Sequence, residues 1–160
     1  PMKTLLEHTW TGNEVIDVII NSKLKKMQDY NIKTNINVEF PNNSDIMSSD
    51  ICTILGNLLD NAIDACQRNQ NKENKWINIT IRIVNAMLIF KIENGNEVVP
   101  QIRNMQLVTS KEDERFHGWG LKSVASAVEK YEGVIQHTIE DHIFQVVVSL
   151  NYNRIEKCQM

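Results

Sequence analysis

Asn57, Asp60, Asn61 and Asp64 are the residues whose types and spacing first point to chemistry. At 100° per residue they fall within an arc of about 100° on a helix, opposite most of the neighbouring leucines. Asn and Asp each cost roughly half a kcal/mol or more against Ala inside a helix. A face that only meets solvent would more naturally use Glu, Lys and Gln, although spacing alone fits a wet helix face equally well. The chemistry that suits the set is a magnesium and phosphate site. Mg²⁺ takes hard oxygen ligands, keeps several waters and usually arrives with nucleotide phosphates. Amide oxygens add no charge beside a polyanion, while Asp60 and Asp64 would hold ordered water or orient the amides.

Asn94 continues the alternation of Leu88, Phe90 and Ile92, which places it on the same buried face. A buried amide needs partners. It either serves a turn at Asn94-Gly95 or contacts adenine, reading the exocyclic amine and a ring nitrogen. The segment from Gly95 to Gly118 follows no period and is too long for a plain connector, so it reads as a lid, a binding loop or a disordered stretch. It contains Thr109-Ser110-Lys111 and leads into His117-Gly118-Trp119-Gly120-Leu121 at the start of a helix. Glycines there let backbone N–H groups approach an anion, and a helix N-terminus favours negative charge. Lys111 would neutralise outer phosphates as a mobile point charge. Alone, a Gly-x-Gly before a helix is more often a turn than a phosphate cradle, and His117 alone would be a surface histidine.

The elements around these residues mix helices with hairpins. Thr11-Gly12-Asn13-Glu14 has the spacing of a capping box, and Ile16, Ile19, Ile20, Leu24 and Met27 follow at helical spacing. Thr34, Ile36, Val38 and Phe40 alternate as a strand. Ser48 or Ser49 would cap a second helix with a wide apolar face from Ile51 to Ile63. Asn69 to Asn74 reads as a solvated loop. Ile77 to Ile83 and Leu88 to Ile92 alternate on either side of an Asn85-Ala86 turn. A third helix runs from Gly120, burying Leu121, Val124, Ala125, Val128 and Tyr131, and stops at Gly133. A last hairpin, Val134 to Glu140 and Ile143 to Leu150, turns at Asp141-His142. This order predicts an α+β two-layer sandwich, a mixed sheet of about five strands carrying three main helices on one face.

Composition narrows the class. The chain has 160 residues and 42% hydrophobic content, enough for one domain with a core. A net charge of −3 argues against a nucleic-acid surface. Three widely spaced cysteines, Cys52, Cys66 and Cys158, fit free thiols better than disulfides or a zinc site. No apolar stretch approaches the ~20 residues of a membrane span, and no signal peptide is visible. The opening Pro-Met reads as an artificial boundary, with the chain a piece of something longer.

Leu55-Gly56-Asn57-Leu58-Leu59-Asp60-Asn61-Ala62-Ile63-Asp64-Ala65 resembles the N box of the GHKL (Bergerat-fold) nucleotide-binding superfamily. Thr109-Ser110-Lys111, then His117-Gly118-Trp119-Gly120-Leu121-Lys122-Ser123-Val124 and Tyr131-Glu132-Gly133, resemble its ATP lid and last glycine box. That version, with Thr11-Gly12-Asn13, Ile16-Asp17 and Asn21-Ser22-Lys23, is similar to sensor kinases for peptide pheromones of the accessory-gene-regulator type. The resemblance covers roughly residues 10 to 151, which implies residues 11–151 as the ATP-binding domain, 1–10 as the tail of an upstream dimerisation helix and 152–160 as a C-terminal tail.

The resemblance implies a histidine kinase catalytic domain of a quorum-sensing two-component system, lying on the cytoplasmic side of a membrane receptor. Its cofactors would be ATP and Mg²⁺, with Asn61 ligating the metal and Asn57 supporting metal or phosphate. Asp60, Asp64, Asn94, Lys111, His117, Gly118, Gly120 and Leu121 would complete the ATP site. The superfamily's hydrolases place a glutamate general base where Asn57 stands, so transfer to a protein histidine is favoured over hydrolysis. The implied partners are the chain's own dimerisation and phosphoacceptor domain, a response regulator and a second receptor copy, with no nucleic acid. Ile92-Glu93-Asn94-Gly95-Asn96 departs from the usual Asp-x-Gly-x-Gly box, with Asn94 in place of the Asp that meets the adenine amine. None of His8, His117, His137 and His142 has the setting of a phosphoacceptor. The competing readings are an interaction module that keeps the fold but binds nucleotide weakly or not at all, and a superfamily ATPase.

Overall fold

The computed structural model describes residues 8–97 and 121–152. Its chain order is α1 (Glu14–Asp29), β1 (Lys33–Val38), α2 (Ser48–Arg68), a 3-10 turn (Lys72–Asn74), β2 (Trp76–Val84), β3 (Met87–Gly95), a helix α3 over 121–129, β4 (Val134–Glu140) and β5 (Ile143–Asn151). The five strands form one mixed sheet in the order β1-β2-β3-β5-β4. Only the β1–β2 pair is parallel; the other three are antiparallel.

Register puts one apolar set on a single face. Ile79 pairs with Ile36 and Ile92, Ile92 with Val146, and Phe90 with Ile81 and Val148. These side chains join Ile16, Ile20, Leu55, Leu58, Leu59, Ile63, Val124 and Val128 of the three helices in one buried cluster. Residues of opposite parity, such as Asn78, Thr80, Lys91, Glu93 and Gln145, stay outside that core. This is the α+β two-layer sandwich that the period-two and period-3.6 patterns require.

Several local expectations need correction. The cap of α1 is Asn13, whose Oδ1 accepts from Ile16 N at 3.1 Å. Thr11 instead serves Asp17, donating to its carboxylate from both N and Oγ1 at 2.9 Å, while Gly12 N donates at 3.1 Å. Trp10 Nε1 donates to Asn21 Oδ1, and Asn21 Nδ2 donates to the His8 carbonyl. Residues 8–12 are thereby tied to α1.

Neither Ser48 nor Ser49 caps α2; Met47 stands at the cap with no side-chain bond. The Tyr131 hydroxyl accepts from Met47 N at 3.0 Å and donates to buried Asp50, which also pairs with Lys130 at 3.1 Å. The cap is thus supplied from the far side of the core, and it fixes the start of α2 to the end of α3. The left-handed residue that ends α3 is Glu132, at φ 52°, and not Gly133. Gly133 is needed for contact, since a Cβ there would lie 2.3 Å from the Ser149 carbonyl. Both hairpin turns sit where expected, with Asn85, Asp141 and His142 at positive φ.

Candidate functional site

Three stretches far apart in sequence meet in one pocket. Its lining includes Leu58 and Asn61 from α2, Ile92 and Asn94 from β3, and Leu121 from α3. Ile135 and His137 of β4 and Phe144 and Val146 of β5 close the other side. These neighbours follow from the sheet, because Asn94 pairs with Phe144, Ile92 with Val146 and His137 with Val146. His137 and Phe144 stack, ring centres 6.1 Å apart. The result is an apolar slot with two amides at its wall, the pattern of small-molecule sites. The slot is partly open to solvent, and its free volume of about 20 Å³ is room for a water.

Asn94 is 1% exposed, as the alternation of β3 demands. Its Nδ2 donates to the Gly95 carbonyl at 2.8 Å. A carbonyl oxygen only accepts, so this contact fixes which end of the amide is nitrogen, commits one of its two N–H donors and leaves Oδ1 as an acceptor for a ligand. Asn57 is oriented in the same way. Its Nδ2 donates to the Thr53 carbonyl one turn back at 2.7 Å, which leaves Oδ1 as an oxygen donor on the polar face of α2. Asn61 lies one turn further along that face and lines the pocket. Two amide oxygens on successive turns are the hard, uncharged donor set that suits Mg²⁺ held together with phosphates.

The acidic members of the stripe divide. Asp60 is engaged by Lys23 of α1, Nζ to Oδ1 at 2.6 Å, so its charge is already matched on the α1 side. Asp64 is exposed. Neither lines the pocket among the described residues. Leu121 does, while Lys111, His117, Gly118 and Gly120, with the expected lid from 95 to 118 beyond Glu97, lie outside the described residues.

The Asn69–Asn74 stretch is not a merely solvated loop. Asn69 is 3% exposed, and its Nδ2 donates to the Asn74 and Gly95 carbonyls, each at 2.8 Å. Its Oδ1 accepts from Glu97 N at 3.1 Å. The Glu97 carboxylate in turn accepts from Gln70 N and Asn71 N at 2.7 Å and from Asn74 Nδ2 at 3.1 Å. Asn-rich composition signals a loop but cannot say which amide turns inward; a knot spanning 28 residues of sequence leaves no local period. The aromatic wall of His137 and Phe144 was missed for a related reason, since a strand face shows its neighbours only once the strand order is known.

The Glu97 carboxyl is held below its usual value of 4.5, chiefly by the Gln70 N–H, then by the Asn74 amide and the Asn71 N–H. A carboxyl depressed in the folded state adds stability above its unfolded value and loses it as pH falls through the folded one. Glu97→Gln is therefore expected to lower stability at about pH 6 and to narrow the gap between the variants at about pH 3. Denaturant midpoints at the two pH values check this; a gap that stays constant with pH would remove Glu97 from the knot. Among the described cysteines, Cys52 and Cys66 are free thiols, as expected. Burial pushes the Cys66 thiol up to about 11, which makes it unreactive near neutral pH.

Comparison with known proteins supplies the family. The profile of the GHKL domain family matches residues 46–151. A probable C4-dicarboxylate sensor kinase of Halalkalibacterium halodurans is 30% identical over 94 residues, covering 57% of this chain and 18% of its own length. The chain thus spans less than a fifth of that relative. Among solved structures, the catalytic domain of the histidine kinase ThkA in nucleotide-free form superposes with a TM-score of 0.64 at 18% identity, covering 88% of this chain and 92% of that one. The Acinetobacter baumannii histidine kinase AdeS gives 0.62 at 16% identity, covering 92% of this chain and 68% of that one. The superpositions establish the fold, that of histidine kinase catalytic domains, and the profile spans α2 with its polar stripe, β3 and the closing hairpin. The chain belongs to the GHKL domain family.

Proposed function

We propose that this domain binds Mg-ATP and presents its γ-phosphate to a histidine on a separate dimerisation domain, as the catalytic part of a sensor histidine kinase. The observation that carries the reading is the convergence of Asn61, Asn94 and Leu121 on one pocket. Each comes from a stretch singled out separately by its chemistry. In this reading the base enters the slot between Ile92, Leu58 and Phe144, and Asn94 Oδ1 accepts from its amine. The Asn57 and Asn61 oxygens would hold Mg²⁺, which would neutralise phosphate charge when bound. What the chain contributes to transfer is positioning and electrostatics, the main demands of phosphoryl transfer.

The competing ATPase activity would need a base beside the transferred group. Asn57 cannot accept a proton from water near neutral pH, and the Asp60 carboxylate is engaged by Lys23. General-base assistance is typically worth about 10²–10⁴-fold, so hydrolysis should be slow. The peptide-pheromone subtype rests on the resemblance of residues 11–23 and 109–124. The dicarboxylate sensor found by comparison makes a C4-dicarboxylate the competing signal. Either receptor would place this domain on the cytoplasmic side and pass phosphate to a response regulator.

The test uses radiolabelled ATP. The chain alone is expected to take up no acid-labile label and to release phosphate slowly, and to label a separately made dimerisation domain when mixed with it. Label on the isolated chain, or brisk phosphate release, would contradict the assignment.

A further inference from the structure

We infer that Asn69 is a positioning residue for the purine site, fixing Asn94 with its acceptor end toward the ligand and so setting the preference for a 6-amino over a 6-oxo purine. The inference rests on the reading above that Asn94 meets the base.

The Gly95 carbonyl receives two amide donors, Asn94 Nδ2 and Asn69 Nδ2, each at 2.8 Å. Its two lone pairs are then both used. Asn69 is itself fixed by opposed partners. Its nitrogen faces two carbonyls, those of Asn74 and Gly95, and its oxygen faces the Glu97 N–H, so a flip would set like against like at every contact. It sits at the C-terminal end of α2 and is 3% exposed, so these partners are held away from solvent. The carbonyl cannot tilt away easily either, because a Cβ at Gly95 would lie 2.2 Å from the Asn74 carbonyl, a measure of how closely the two backbones approach. Glu97 closes the assembly from the other side through Gln70, Asn71 and Asn74.

The consequence falls on Asn94. An asparagine amide offers a donor and an acceptor of nearly equal size and can present either. Here one of the two N–H donors is tied to the Gly95 carbonyl, which fixes which way round the amide sits and keeps Oδ1 as the acceptor it offers. An acceptor matches an exocyclic amine and opposes a 6-oxo group. Without Asn69, the Gly95 carbonyl keeps one donor and gains freedom to tilt. Asn94 then loses its fixed partner and can turn Nδ2 toward the ligand, which suits the 6-oxo base. Asn69 touches no ligand in this scheme.

The test compares ATP with ITP, which differ at that position, by calorimetry with Mg²⁺ on wild type, Asn69→Ala and Glu97→Gln. Wild type is expected to prefer ATP by roughly tenfold or more, the scale on which an unmatched buried polar group discriminates. Asn69→Ala should lose most of that ratio, chiefly by weakening ATP, and Glu97→Gln should lose less in the same direction. Side-chain amide exchange of Asn94, followed by NMR without nucleotide, should accelerate in Asn69→Ala. If Asn69→Ala does not fold, Glu97→Gln carries the comparison with both readouts. A folded variant that keeps both the ATP-to-ITP ratio and the slow exchange would overturn the role of Asn69 and leave the nucleotide site standing. Wild type that binds neither nucleotide at millimolar concentration would overturn the purine site and the specificity with it.

Discussion

Asn61→Ala is expected to lower Mg-dependent phosphoryl transfer to a separate dimerisation domain by about 10²–10³-fold, the scale of losing one preorganised contact to developing charge. Asn61 is the one member of the polar stripe that both faces the pocket and follows Asn57 by a single turn. In the proposed site, removing it would take away a metal oxygen at the point where base and phosphates would both be held. The fold should survive, because the side chain is only half-buried and alanine is the better helix former. Circular dichroism serves as the control. Undiminished transfer by a folded Asn61→Ala protein would take the residue out of the site.

Among the described residues near the site, Gly95→Ala should be the most damaging single-methyl change. The added carbon would lie 2.2 Å from the Asn74 carbonyl oxygen and 2.8 Å from its carbon. Those atoms are backbone, and Asn69 and Glu97 hold that backbone in place. Overpacking typically costs about 1–3 kcal/mol; with no flexible side chain to yield, the upper part of that range is expected. Gly56→Ala is the matched control. It lies within α2 with nothing within 4 Å of its added carbon, so helix propensity should raise stability by up to about 1 kcal/mol. Thermal or denaturant unfolding of the two variants makes the comparison. Equal melting of both would mean that the Gly95 contact is not held as tightly as the knot requires.

The sheet faces were legible because apolar residues alternate through β2 and recur at period two in its neighbours, as Leu88, Phe90 and Ile92 in β3 and Phe144, Val146, Val148 and Leu150 in β5. The polar stripe of α2 was legible for the same reason, since four costly helix residues recur on one arc. Asn94 could be placed by parity alone. What parity could not show was the state of its amide, because Gly95 and Asn69 are brought together only by the return of β3 beside the end of α2. Ser48 and Ser49 looked like caps by type, yet they form the first turn of α2; Met47 holds the cap position, and the hydroxyl of Tyr131, 84 residues away, accepts its N–H. Asp60 was grouped with the ligands because an arc of 100° does not separate the side facing α1 from the side facing the pocket. Lys23, 37 residues earlier in the chain, engages the Asp60 carboxylate from the α1 side.

The central claim is that the slot between Asn61, Asn94 and Leu121 takes Mg-ATP. Calorimetric titration of the chain with ATP, with and without Mg²⁺, and the same titration of Asn94→Leu, address it most directly. Binding is expected in the micromolar-to-millimolar range, about −8 to −4 kcal/mol, weakened without Mg²⁺ and lost in Asn94→Leu. Absence of heat at millimolar ATP, or full affinity in Asn94→Leu, would contradict it and leave a GHKL domain that serves as an interaction module.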